Sequence, residues 1–172
     1  MAMALLASPS WGYKQEDLDK LAATNTCQEC DLAGADLHLA YLREANLTKA
    51  NLTKANLEKA ILTKANLAGA DLRRTALGVA FLPLADLREA DLERVDLSHA
   101  SLRGANLTGA NLTGANLEKA DLAGADLAGA DLRGTVLTGA VLRNVKIDFA
   151  DFTKAKFCNT VMPDGQRIFK DC

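Results

Sequence analysis

The chain has 172 residues, a formal net charge of −2 and 49% hydrophobic residues, which is enough for one domain with a substantial interior. The charges nearly balance, which excludes a polyelectrolyte. Aromatic residues make up only 5% of the chain, with a single Trp, so the interior must consist mainly of Leu and Ala rather than large rings.

The N-terminal flank divides into an apolar tail and a helix. Residues 1–11, MAMALLASPSW, resemble the end of a secretory signal but lack a basic n-region and a full h-region, so we expect a truncated leader. In KQEDLDKLAAT, residues 14–24, acidic residues come early and Leu18, Leu21 and Ala22 share one side. This pattern predicts a short amphipathic helix, and residues 1–30 are predicted to form an N-terminal tail and helical cap.

Residues 31–157 repeat a five-residue pattern of Ala, Asn or Asp, Leu, and two small or charged residues. Leu stands at every fifth position from Leu32 to Leu142. Three other apolar residues continue the register: Ile147, Phe152 and Phe157. A five-residue period would spread the leucines around an α-helix and alternate them across a strand. The chain must therefore bend every five residues, with each Leu and the Ala two positions before it directed at a common axis.

This pattern closely resembles the pentapeptide-repeat proteins, whose consensus is Ala, Asn or Asp, Leu and two variable residues. The resemblance implies an all-β solenoid, a right-handed quadrilateral β-helix with 20 residues per coil. The tail, the cysteines and the ending FCNTVMPDG are also similar to exported members of cyanobacteria and plastids, which implies the periplasm or the thylakoid lumen. Free thiols would instead indicate a cytoplasmic protein.

One side of the implied coil departs from the pattern. Residues 20 apart stack on one face, and the position before Leu, elsewhere mostly Asn or Asp, is here occupied by Tyr41, Ile61 and Phe81. Apolar corner residues widen this set, so the candidate interaction patch comprises Leu39, Tyr41, Ile61, Val79, Phe81 and Leu84. We expect it to bind an unknown protein partner, with a homodimer as one arrangement. The alternatives are scattered surface residues or a place where a flank packs.

After Phe157 the chain leaves the register, and residues 158–172 are predicted to form a C-terminal cap. Pro163, Asp164 and Gly165 form a strong turn signal, after which Ile168 and Phe169 are expected to fold back over the last coil.

All four cysteines lie in or next to the flanks. Cys27 and Cys30 form a CxxC motif, and Cys158 and Cys172 bracket the C-terminal tail. Zinc binding by all four would need the two pairs to meet, which the long repeat region between them prevents. We expect two local structural disulfides, with dithiol redox chemistry and free thiols as the alternatives.

The charges of the repeat region bear on function. Known members of the resembled family mimic DNA with an acidic rod and protect gyrase, but residues 31–157 hold 16 Lys plus Arg and 16 Asp plus Glu. Duplex DNA carries about one charge per 1.7 Å of axis. We read the basic ladder of Lys54, Arg74 and Arg94 as a solvated, compensated face, with binding of an anionic partner as the alternative. The expected function is a structural or protein–protein interaction module, with a DNA mimic that binds gyrase or topoisomerase as the alternative.

Other functional classes find no support in the sequence. His38 and His99 stand far apart, and no nucleophile is placed beside a base, so we expect no enzyme and no cofactor. No basic stripe with interleaved aromatic residues indicates nucleic-acid binding. No segment reaches the roughly 20 apolar residues that span a bilayer.

Overall fold

A computed structural model describes residues 12–172 of the chain, so the predicted leader at residues 1–11 lies outside the described residues. Helix α1 spans Gln15–Thr24, strand β1 spans Thr160–Val161 and strand β2 spans Arg167–Ile168. Between the helix and the hairpin the chain forms a regular series of turns and single-residue parallel bridges.

The bridges define the coil. They join residues 20 positions apart, from Thr26–Asn46 to Val141–Val161, and all are parallel. They begin five residues before Asp31, so the paired region extends beyond the predicted repeat region at both ends. Each coil therefore contains four five-residue repeats and pairs with the coils before and after it. Each side of a coil contributes one bridged residue, which is why no long strand forms.

Each bend is a four-residue turn. The N–H of Ala110 donates to the carbonyl of Leu107 at 3.0 Å, and the same bond recurs throughout the series. The third residue of each turn has a positive φ, as in a type II turn. Gly occupies this position in nine repeats, as at Gly109 with φ +68°, and elsewhere a side chain accepts the left-handed conformation.

Two positions of each repeat build the core. Every central Leu from Leu47 to Leu142 is fully buried, and so is nearly every Ala two residues before it. Larger residues that replace this Ala are buried as well: Thr75, Val95, Thr135 and Val145. The two threonine hydroxyls donate to backbone carbonyls at 2.7 and 2.9 Å, so their burial leaves no donor unpaired. The two inward positions predicted from the sequence are confirmed.

Helix α1 lies against the first coil. The Asp17 carboxylate accepts the N–H of Asp31 at 2.8 Å, and the Lys14 N–H donates to the Asp31 carbonyl at 3.0 Å. Leu21 is buried in the same core as the coils, and Leu18 packs against that core. Ala22, predicted on the same side, is exposed, because one residue further turns the helix by about 100°.

The C-terminal hairpin continues one side of the rod. Val161 forms the last parallel bridge, with Val141, and pairs antiparallel with Arg167. Ile168 packs against the core as predicted, but Phe169 is 65% exposed, so the expectation that it covers the last coil is wrong. Ile168 is the last residue of β2 and takes the inward side, and Phe169 follows it outside the strand.

The last coil is less regular than the sequence register indicates. Phe152 and Phe157 take the inward position, with ring centroids 5.9 Å apart. Ile147 keeps the spacing but is 37% exposed, because the bridges on its side end at Lys146. Phe149 is 97% exposed, which the sequence analysis did not anticipate.

Candidate interaction surface

The three central residues of the predicted patch stand in one column. Bridges Tyr41–Ile61 and Ile61–Phe81 stack these residues in three consecutive coils. Tyr41 is 70% exposed and Phe81 48% exposed, whereas Ile61 is half-buried between them. The structure therefore brings the column together on one side of the rod, with its side chains outside the leucine core.

The other three residues stand at the corners of the same side. Leu39 and Val79 precede the column at one edge, and Leu84 follows it at the other. All three are more than half exposed. We call Leu39, Tyr41, Ile61, Val79, Phe81 and Leu84 together the apolar patch.

The apolar patch lacks the side-chain-to-backbone hydrogen bonds that the other sides make. On those sides the Asn or Asp before Leu accepts the N–H two residues later, as Asn106 does from Thr108 at 3.0 Å. Tyr41, Ile61 and Phe81 offer no such acceptor. The fold therefore gains nothing from the usual side-chain bond at three consecutive coils.

The side chain of Thr63 shows the effect of the missing acceptor. Its hydroxyl is buried and has no hydrogen-bond partner among the described residues. Threonines at the same repeat position donate to Asn at 2.7 to 2.8 Å: Thr48, Thr53 and Thr108. Thr63 lacks that acceptor because residue 61 is Ile. Beside Phe81 the donor is missing too, since residue 83 is Pro and has no N–H.

One corner residue carries backbone strain. Val79 has φ +59°, a conformation in which a β-branched side chain is a rare outlier, and Leu84 has φ +59° as well, a value that the turns of the other repeats share. A Cβ on Gly104 would lie 2.9 Å from Leu84 Cδ2, so the glycine leaves room for Leu84 to lean toward the next coil. Neither burial nor backbone preference explains apolar side chains here. The local cost is therefore specific to Val79, and such costs are typical of functional positions.

An apolar groove adjoins the patch. It has a volume of about 380 Å³ and lies between α1 and the first coils. Leu18 and Leu21 line it from the helix, Leu37 and Leu42 from the coil, and Tyr41 and Arg43 stand at its edge. Sequence reasoning missed this groove, because only the packing of the helix on the coil creates it.

The remaining sides are mostly polar, and several of their charges are paired. Hydrogen bonds from an Arg two residues later lower the pKa of Asp71, Asp86 and Asp131. In the basic ladder, Arg94 pairs with Glu93 at 3.5 Å, and Lys54 and Arg74 line a shallow cleft of about 280 Å³ that also contains Glu93. The cations of this side therefore stand among anions.

Both predicted cysteine pairs are joined, Cys27 to Cys30 and Cys158 to Cys172, with Cα–Cα distances of 5.2 and 5.0 Å. Cys27 takes the central Leu position of a repeat and Cys30 the following Ala position, and both are buried. The predicted repeat region begins at residue 31, with Cys30 at its entry, so the repeat register of Cys27 was not predicted. Thiol exchange needs an accessible sulfur, so the burial favours a structural bond over redox chemistry.

The Asp17 carboxylate lies near the sulfurs of Cys27 and Cys30, with the three ligand atoms within 4.8 Å of one another. The sulfurs are bonded to each other, so neither is a thiolate that could bind a metal. The groups of this site instead join α1 to the first coil, through the bond from Asp31 to Asp17.

Comparison with known proteins defines the class. Residues 26–58, 40–78, 85–122 and 120–159 match the family described as pentapeptide repeats, in eight copies. The chain belongs to the pentapeptide-repeat family.

Several solved structures are similar to the chain. It is 38% identical to HetL from the cyanobacterium Nostoc, a pentapeptide repeat protein involved in heterocyst differentiation regulation. The match covers 83% of this chain and 72% of that chain, with a TM-score of 0.42. The chain is 30% identical to Rfr23 from the cyanobacterium Cyanothece, with 86% and 97% covered and a TM-score of 0.44. QnrB1, a plasmid-mediated fluoroquinolone resistance protein, is 22% identical, with 78% and 82% covered and a TM-score of 0.46. No curated protein matches the chain.

Among residues 12–172, no helix has the length and apolar character needed to cross a membrane.

Proposed function

We propose that the protein is a rigid, non-catalytic interaction module that binds a partner protein through the apolar patch. The observation that carries this proposal is the column of Tyr41, Ile61 and Phe81, which replaces hydrogen-bonding Asn or Asp in three consecutive coils. These residues contribute to neither the leucine core nor the outer hydrogen bonds, so binding is the remaining use for them.

The architecture suits a scaffold. We propose a right-handed, four-sided β-helix in which α1 covers the first coil and the hairpin covers part of the last. Covering the ends limits head-to-tail stacking of rods through unpaired backbone groups. The sides of the rod are then the surfaces left for recognition, and a homodimer through the apolar patch is one form that recognition can take.

The charge distribution weighs against the DNA-mimic alternative. Residues 31–157 carry equal numbers of basic and acidic groups, and Arg–Asp pairs recur on the polar sides. A protein that imitates duplex DNA needs a dense negative surface. Protection of purified gyrase from a quinolone by this protein would overturn our proposal.

Photo-crosslinking in the native compartment tests the proposal. A benzophenone amino acid at Tyr41 should capture one partner, or a second copy, and the Phe81→Asn substitution should reduce that crosslink at least about tenfold. Val136→Asn makes the same kind of exchange at an equivalent repeat position outside the patch, and should leave the crosslink intact. A Tyr41 crosslink that survives Phe81→Asn would contradict the proposal.

We also propose export to an oxidising compartment, the periplasm or the thylakoid lumen, because two disulfides join all four cysteines. Thiol titration of the denatured, unreduced native protein should find no reactive thiol. Four reactive thiols would instead indicate a reducing, cytoplasmic location.

A further inference from the structure

We infer that the apolar patch binds an amphipathic helix that lies along the rod axis and carries acidic residues beside its apolar stripe. This inference rests on the proposed function, because it names the kind of partner segment that the same surface takes.

The backbone of the patch is unavailable for strand addition at Ile61 and Phe81, whereas Tyr41 bridges only to the coil that follows it. Ile61 donates to the Ala40 carbonyl and accepts from Leu42 at 2.9 and 2.8 Å, and the Phe81 N–H and carbonyl are paired in the same way. A peptide that adds to a sheet needs unpaired N–H and C=O groups at an edge. A partner that lies along the column must therefore be recognised through side chains at Ile61 and Phe81, since an extended segment paired with Tyr41 would reach only one end of the patch.

The spacing of the column fits a helix better than an extended chain. Stacked coils are about 4.8 Å apart, so Tyr41 and Phe81 are separated by about 9.6 Å along the axis. Two helical turns rise about 10.8 Å, a mismatch of about 1.2 Å. Residues on one side of a strand recur at about 6.7 Å, and two such steps accumulate a mismatch of about 4 Å. Side chains at i, i+3 or i+4, and i+7 of a helix can thus meet successive coils.

The groove beside α1 adjoins one end of the apolar column. Tyr41 belongs to both the apolar patch and the groove of about 380 Å³, so the two surfaces are continuous. Leu37 and Leu42 lie in the wall of the groove. A large apolar side chain at one end of the bound helix can enter there, which makes Tyr41 the junction between the groove and the column.

The charges next to the patch select an acidic partner. Lys59 stands between Leu39 and Val79 in the corner column, and Lys64 precedes Leu84 at the other edge. Neither lysine makes an ion pair anywhere in residues 12–172. Lys119 and Arg94, at the same repeat position, pair with the preceding Glu at 3.2 and 3.5 Å. Other lysines at this position also lack an ion pair, so what distinguishes Lys59 and Lys64 is their place on the two edges of the apolar column.

Beside the patch, Arg43, Lys59 and Lys64 outnumber Glu44 and Glu58 by one charge, although Glu44 stands in the same corner column as Lys64. Glu44 approaches Arg43 at 4.0 Å, and Glu58 precedes Lys59 without pairing to it. Lys59 and Lys64 thus flank Ile61 on both sides, and carboxylates on both flanks of an apolar stripe would complement them.

Peptide selection tests this inference. A phage library of helical peptides about 18 residues long, or five turns, is selected on the full chain and counter-selected on Tyr41→Asn/Ile61→Asn/Phe81→Asn. We expect apolar residues at i, i+3 or i+4, and i+7, flanked by Asp or Glu. The best peptide should bind the triple variant at least about tenfold more weakly than the unaltered chain.

A second pair of variants isolates the charges. Lys59→Gln/Lys64→Gln should weaken the selected peptide about threefold and reduce its salt dependence, whereas Lys49→Gln/Lys154→Gln, on other sides, should change neither. Three results would overturn the inference. The selection could enrich peptides flanked by Lys or Arg, it could enrich no peptide, or the protein could bind anionic phospholipid vesicles more tightly than the selected peptide. If the helix inference fails but the Tyr41 crosslink still depends on Phe81, the proposed function survives. If the crosslink does not depend on Phe81, the proposed function and the helix inference both fail.

Discussion

The regular sides of the rod and the side that carries the apolar patch share one core and differ only outside it. On a regular side, Asn111 donates to Asp91 of the preceding coil at 2.9 Å and accepts the Thr113 N–H at 3.1 Å. At the matching position of the patch side, Ile61 does neither, and Thr63 keeps a buried hydroxyl without a partner. The difference separates residues that the fold requires from residues that it only tolerates.

The core should respond identically on both sides. Leu82→Ala, beneath the apolar patch, and Leu112→Ala, on a regular side, should each lower the free energy of unfolding by about 3 kcal/mol, because both leucines are fully buried. Urea unfolding of the two variants measures this. A difference between them of more than about 1 kcal/mol would mean that the two sides do not share an equivalent core.

Exchanging the outer residues should have opposite effects. Asn111→Ile breaks two hydrogen bonds and should lower the free energy of unfolding by about 1 to 2 kcal/mol. Ile61→Asn gives Thr63 an acceptor, so it should raise that free energy by up to about 1 kcal/mol. Urea midpoints report both changes. Equal losses from the two substitutions would show that Ile61 belongs to the core.

The third residue of the turn allows a further comparison of the patch side with a regular side, with a smaller expected effect. Val79→Gly removes a β-branched side chain from φ +59° and should raise the free energy of unfolding by about 1 kcal/mol. Gly114→Val imposes that strain at φ +66° on a regular side and should lower it by a similar amount. Thermal unfolding of both variants checks the signs. If Val79→Gly destabilises the protein, the valine contributes packing that strain does not outweigh.

The smallest expected effect depends on pH. The Arg88 hydrogen bond lowers the pKa of Asp86 in the folded protein, so the pair contributes stability above the unfolded pKa of about 3.9. That contribution is lost as the pH falls through the lower folded pKa. Arg88→Gln should therefore have a lower urea midpoint than the unaltered chain at pH 7, and the two midpoints should converge in acid. Phe81→Asn, on the patch side, should show no such pH dependence.

The sequence was sufficient for the periodic part of the molecule. Each five-residue unit is a local turn with one large and one small inward side chain, so the spacing of Leu47 to Leu142 predicts a bend every five residues, and the resemblance to pentapeptide-repeat proteins implies the coil of 20 residues. The position of Tyr41, Ile61 and Phe81 in one column follows from the same 20-residue count.

Aperiodic features escaped the sequence analysis because they depend on how neighbouring parts pack. The exposure of Ile147 and Phe169 reflects where the last bridges end, which the register does not reveal. The groove beside α1 depends on the angle of the helix on the first coil. The inward position of Cys27 could have been found, since it lies five residues before Leu32.

The most direct measurement is the free energy of unfolding of Tyr41→Asn/Ile61→Asn/Phe81→Asn, obtained from urea titration beside the unaltered chain. The column serves binding rather than folding in our account, so the triple variant should be as stable as the unaltered chain or more stable. A loss of more than about 2 kcal/mol would place these residues in the structural core and contradict the account.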